Sequence, residues 1–118
     1  MAHAGVSGKT TKTKADQFDL ICPLLKAMFK EFQELSKKKP EGQVGKMKVQ
    51  MVNRLLKPIH ELLADEGNIA YLDLLEEDDL PQNSDVILVL GQTVAAMDAF
   101  RAKYYGWDNR AHDHVWFV

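Results

Sequence analysis

The residues best suited to metal chemistry stand near the carboxyl end: His112, Asp113 and His114, with Asp108 close before them. Imidazole and carboxylate are ligands that zinc and similar ions take, in sets of three or four that must converge. Alternate residues of an extended segment bring His112 and His114 to one side. Only His60 offers an obvious further nitrogen. Two imidazoles do not complete a site, so the segment reads as a polar link to the hydrophobic terminus, and neither a metal nor another cofactor is expected. Gly5-Val6-Ser7-Gly8-Lys9-Thr10 resembles part of a phosphate-binding loop, but the first glycine of G-x-x-x-x-G-K-[ST] would fall on His3. Met1-Ala2 is too short to supply the strand that such a loop follows, so nucleotide binding is rejected. Cys22 is the single cysteine, beside Pro23 and without an evident histidine partner. It reads as a buried structural thiol and permits no intramolecular disulfide.

A second constellation is Arg54 with His60, an R-x5-H spacing. An imidazole titrates near neutrality and suits general acid–base work, while a guanidinium suits a phosphate. The pair resembles the R-x(4–6)-H signature of HEPN ribonucleases, small helical proteins whose dimers bring two such motifs together. That resemblance implies a histidine acting at the RNA 2′-hydroxyl and an arginine orienting the phosphate. It covers two residues and a fold class. Leu55 follows the arginine where the family usually has a polar residue, and Pro58 lies inside the motif.

Positive charge gathers in Lys37, Lys38, Lys39, Lys46, Lys48, Arg54 and Lys57, against the acids Asp65, Glu66, Asp73, Glu76, Glu77, Asp78 and Asp79. Such asymmetry steers either a phosphate backbone or an acidic protein segment. No aromatic residue is interleaved with the lysines to stack on bases, so nucleic acid is the weaker reading, with Lys46, Lys48 and Lys57 as its candidate contacts. The net charge of −2 also argues against a dedicated binder of nucleic acid or membrane surface.

These side chains need helices to position them. The chain has 118 residues, 46% hydrophobic and 27% charged, which suits one globular domain with one core. Residues 1–13 are small and polar and read as a disordered tail, with the domain over 14–118. No apolar run behind Met1 suggests a secretory signal, and none approaches the length of a membrane span, so a cytoplasmic protein without a membrane partner is expected.

Thr13 with Asp16 reads as a capping box. Phe18, Ile21, Leu25, Met28, Phe29, Phe32 and Leu35 then recur at helical steps. Pro23 predicts a kink or a late start, and Lys37 to Gly42 a stop. A second stripe runs through Val44, Met47, Met51, Val52, Leu55, Ile59, Leu62 and Leu63. Pro58 predicts a bend near Arg54, and Gly67-Asn68 a left-handed stop. Ile69 to Leu75 predict a short helical turn, and Glu76 to Asn83 an exposed connection. Ser84 is the expected cap of a third helix, whose face includes Val86, Leu90, Val94, Met97 and Tyr104 and which ends at Gly106.

The expected fold is therefore all-α: a three-helix, up-down-up antiparallel bundle with a short extra helical turn and a docked carboxyl-terminal tail. The third helix is apolar around more than half its circumference, which predicts a central place in the bundle or a homodimer. The tail carries Trp107, Val115, Trp116, Phe117 and Val118, the expected interface residues, because aromatic anchors dominate interfaces. The expected function is a non-catalytic protein–protein interaction module: an adaptor, a regulatory subunit or an immunity-type protein. A dimeric HEPN-like ribonuclease using Arg54 and His60, or a nucleic-acid binder using the second helix, are the alternatives.

Overall fold

Thr11 opens the first helix. In the computed structural model, which describes Val6 and residues 8–118, its backbone is extended and its hydroxyl accepts from the Lys14 amide at 3.1 Å. Helix α1 then runs Lys12–Lys38. The cap lies two residues ahead of the expected Thr13, which is itself helical, and Asp16 pairs with Lys12 one turn back at 2.9 Å. Helix α2 spans Lys46–Leu62 and helix α3 spans Asn83–Tyr104. Pro23 and Pro58 lie inside α1 and α2, and both helices continue through them. At α3 the expected cap Ser84 is already helical; Gln82 takes that place, its amide donating to Asp85 Oδ2 at 2.9 Å.

Hydrogen bonds at the two ends of the bundle define the helix directions. At one end the α1–α2 turn is sewn to the start of α3. Val44 N donates to Pro81 O and Asn83 N to Gly42 O, both at 2.8 Å, and Ser84 N donates to Pro40 O at 3.0 Å. At the other end Lys14 meets Asp65 at 3.0 Å, and Glu66 accepts from Lys103 at 3.2 Å and from the Tyr104 hydroxyl at 2.9 Å. The start of α1 and the ends of α2 and α3 therefore lie together. Helix α1 runs against both others, and α2 and α3 run the same way. This corrects the expected up-down-up order: residues 63–82 are long enough to return along the bundle before α3 begins.

The returning segment of chain is fastened by Asn53, a polar residue within the buried face of α2. Asn53 is buried in α2; its Nδ2 donates to Leu75 O at 2.8 Å and its Oδ1 accepts from Leu75 N at 2.9 Å. An amide side chain here replaces a backbone partner, satisfying both polar groups of one buried peptide residue. Ahead of this clasp a 3-10 helix spans Gly67–Tyr71, earlier than the turn expected from Ile69 to Leu75. Gly67 therefore opens this turn and does not stop α2, which ends at Leu62.

The core lies along α1, against which both other helices pack, and not along α3 as its composition suggests. Phe18, Ile21 and Leu25 meet Val49, Val52, Leu56 and Ile59 of α2, with Val86, Leu90, Met97 and Phe100 of α3, in one buried cluster. Helix α3 keeps Leu88 exposed, which accounts for part of its surplus apolar surface.

After α3 the chain departs from all-α. Strand β1, Tyr105–Asp108, pairs antiparallel with strand β2, Asp113–Trp116, bringing Tyr105 opposite Trp116 and Trp107 opposite His114. Gly106 belongs to this hairpin and is not the helix stop. The Phe117 amide continues the ladder to Tyr104 O at 2.7 Å, and Thr10 N donates to Phe117 O at 2.8 Å. Val6 is buried, and an added Cβ at Gly106 would strike its side chain. Thus part of the amino-terminal segment expected as a disordered tail, residues 1–13, lies on the hairpin, and Lys12 and Thr13 are helical; residues 1–5 and 7 lie outside the described residues.

Candidate functional site

Two rows of side chains at the margin of the core face each other across α1 and α2. Met28, Leu35 and Leu55 are half-buried against the core, and Leu20, Leu24, Met47 and Met51 are exposed. On α1, Leu20, Leu24, Met28, Glu31 and Leu35 follow at steps of three and four, so they share one flank of the helix. On α2, Met47, Met51 and Leu55 do the same. Leu24, Met28, Met51 and Leu55 line a hollow of about 430 Å³ with Glu31 and Arg54 on its walls. A second hollow of about 90 Å³ adjoins it, sharing Met28, Glu31 and Met51 and reaching Leu35 and Lys48. Together they form an apolar groove with a charged rim. Leu24 is 57% exposed, Met51 47% and Met47 75%.

This placement corrects the second apolar stripe. Val49, Val52, Leu56 and Ile59 fill the core, whereas Met47 and Met51 form a separate exposed row. Leu20 and Leu24, apolar residues off the stripe of α1, are the sequence signal for this site. A run of exposed leucine and methionine is costly in water, at roughly 25 cal/mol for each Å² that a partner could cover.

Arg54 and His60 do not converge within the chain. Six residues along a helix turn a side chain by about 240°, so the two leave α2 in different directions. Arg54 is exposed beside the groove. His60 Nε2 is enclosed without a hydrogen-bond partner among the described residues. Burial holds its imidazole below the usual 6.5, partly offset by the Asp73 carboxylate. That favours the neutral imidazole.

The residues of the hairpin are placed differently from one another. Trp116 is docked on its own bundle: its ring meets Phe18 edge-on at 5.0 Å and Phe100 at 5.9 Å, and its Nε1 donates to Asp19 Oδ2 at 3.1 Å. Val115 and Phe117 are half-buried, and Trp107 and Val118 are exposed. Trp107 lies edge-on to His114 at 5.4 Å and to His112 at 6.5 Å, with its Nε1 donating to Asn109 Oδ1 at 2.9 Å. Asp108 and Asp113 accept from the Arg110 and His114 amides. The histidines and aspartates thus shape the hairpin turn, and no group of three potential metal ligands forms among the described residues.

A larger cleft, about 600 Å³, lies between α1 and α3 over Cys22. Its charged groups already answer one another: Lys26 meets Asp98 at 3.4 Å, Arg101 lies over the Tyr105 ring at 4.2 Å, and Trp116 occupies Asp19. Burial pushes the Cys22 thiol up, which keeps it protonated and unreactive. The basic cluster is also divided. Lys37 pairs with Glu34 and Lys46 with Asp78, while Lys48, Arg54 and Lys57 have no ion-pair partner among the described residues. The loop-like run at Gly5 to Thr10 falls partly outside the described residues. No described helix is long and apolar enough to cross a membrane.

Comparison of the chain with protein-family models, with curated proteins and with solved structures finds no match.

Proposed function

We propose that this chain is a non-catalytic helical interaction module, an adaptor, regulatory or immunity-type protein, whose principal surface is the α1–α2 groove. The observation that carries the reading is the exposed apolar row of Leu20, Leu24, Met47 and Met51. The fold does not use these side chains, since an independent set of residues fills the core beside them. Rows at helical spacing with methionine among them suit the apolar face of another helix, because methionine adapts its shape to what it meets. The hairpin, with Trp107 and Val118, offers a second and smaller face for the same kind of contact. A second copy of the chain in either place would be the homodimer form of this reading.

The test is site-specific photo-cross-linking in cells. A photoreactive side chain at Met51 should yield discrete protein adducts, identifiable by mass spectrometry, that the same group at the exposed Glu61 does not yield. No adduct from Met51, or the same adducts from both positions, overturns the proposal.

A further inference from the structure

We propose that the occupant of the α1–α2 groove is an amphipathic helix of a partner protein whose polar flanks are acidic. The inference rests on the reading of that groove as an interaction surface and adds the chemistry of the partner. Its first support is shape. The α1 wall of the groove from Leu24 to Leu35 extends about 16 Å, the length of a helix of about 11 residues, or three turns. The groove floor is mainly aliphatic and thioether, with the buried Phe32 beneath it, which suits leucine-like anchors at helical spacing.

Its second support is charge. Between Gln43 and His60 there is no aspartate or glutamate, while Lys46, Lys48, Arg54 and Lys57 all fall there. Lys48 and Arg54 stand on the groove wall, and neither has an ion-pair partner among the described residues. The chain's own acidic run does not neutralise them. Asn53 clasps Leu75, and Asp78 points to Lys46 at 3.9 Å. An acidic flank would answer both cations; Glu31 is the one acid lining the groove.

The same charges disfavour a second copy. At the groove two cations, Lys48 and Arg54, stand against one acid, Glu31. Two copies joined through these faces would bring like charges together. A nucleic acid would use the cations but not the apolar floor, and the groove exposes no aromatic ring on which a base could stack.

The experiment uses the full chain and three fluorescein-labelled peptides of about 16 residues. All carry one leucine stripe at helical spacing, flanked by glutamate, glutamine or lysine, and binding is read by anisotropy at low ionic strength. The glutamate peptide should bind at least about ten-fold tighter than the lysine peptide, and Arg54→Glu should abolish that preference. Met51→Gln should weaken all three. Equal binding of the glutamine or lysine peptide overturns the acidic class while leaving the interaction surface standing. Absence of binding by all three overturns the helix-in-groove mode itself. A dimer by light scattering that Met51→Gln dissociates assigns the groove to a second copy, and RNA binding lost in Arg54→Glu but intact in Met51→Gln assigns it to nucleic acid; either overturns the proposal.

Discussion

Asn53 and Leu75 are joined by two hydrogen bonds, of 2.8 and 2.9 Å, between a buried side-chain amide and both polar groups of one backbone residue. The clasp holds the chain returning from the end of α2 to the start of α3. Replacing Asn53 by alanine leaves two buried polar groups unpaired, at about 1–3 kcal/mol each. Asn53→Ala should therefore destabilise the fold by about 2–6 kcal/mol in urea unfolding. Hydrogen exchange at the Leu75 amide should rise more than at amides of α1. A loss below about 0.5 kcal/mol would show that water replaces the side chain without cost.

Trp116 closes the protein's own core, so its removal should act on stability. Its ring contacts Phe18, Phe100 and Tyr105. Trp116→Ala should cost about 2–4 kcal/mol, whereas Trp107→Ala, at an exposed position, should cost less than about 1 kcal/mol. Equal effects of the two substitutions on the unfolding midpoint would contradict the docking of Trp116.

Gly91 offers a gain. It sits inside α3, and an added Cβ would rest 3.5 Å from Phe29 Cε1, an ordinary contact. Glycine within a helix costs about 0.5–1 kcal/mol relative to alanine. Gly91→Ala should raise stability by about that amount, seen as a higher thermal midpoint. A lower midpoint would mean that Phe29 cannot accept the methyl group.

His60 should contribute to acid sensitivity. Its pKa in the folded protein is depressed by burial, with Asp73 opposing. The unfolded chain then binds its proton more readily than the folded one. Stability is full above the unfolded value, near 6.5, and falls as pH drops through it toward the folded value. His60→Gln should flatten the stability profile between about pH 7 and 5. An unchanged profile would place the acid response elsewhere.

The three helices are legible in the sequence because Phe18, Ile21 and Leu25 recur at the step of a buried helix face. The division of α2 is less so. Met47, Met51 and Leu55 share the four-residue step of a buried row, and periodicity alone does not say which of two adjacent apolar rows meets a neighbour. Asn53 lies within the buried face of α2, and its partner, 22 residues on, becomes visible only when the chain turns back. The direction of α3 is hidden for the same reason: contacts between Pro40 and Ser84, or Gly42 and Asn83, leave no local pattern. Strands β1 and β2 are four residues each and gain their order from docking on Phe18 and Phe100, so local propensity understates them. Of the candidate site, Arg54 and Lys48 are legible as charge, and Leu20 and Leu24 as apolar residues off the α1 stripe. That Leu24 and Met51 border one groove is not legible, because that placement belongs to the tertiary fold.

On the proposed function, the α1–α2 row serves another protein and not the fold. The most direct measurement is the Leu24→Gln, Met51→Gln double variant, followed by urea unfolding and by cross-linking from a photoreactive group placed at Met47. Glutamine keeps helix propensity and length, so an interface row predicts stability within about 0.5 kcal/mol of the parent and loss of the adducts seen when only Met47 is replaced. A stability loss of several kcal/mol, or adducts that persist undiminished, would contradict it.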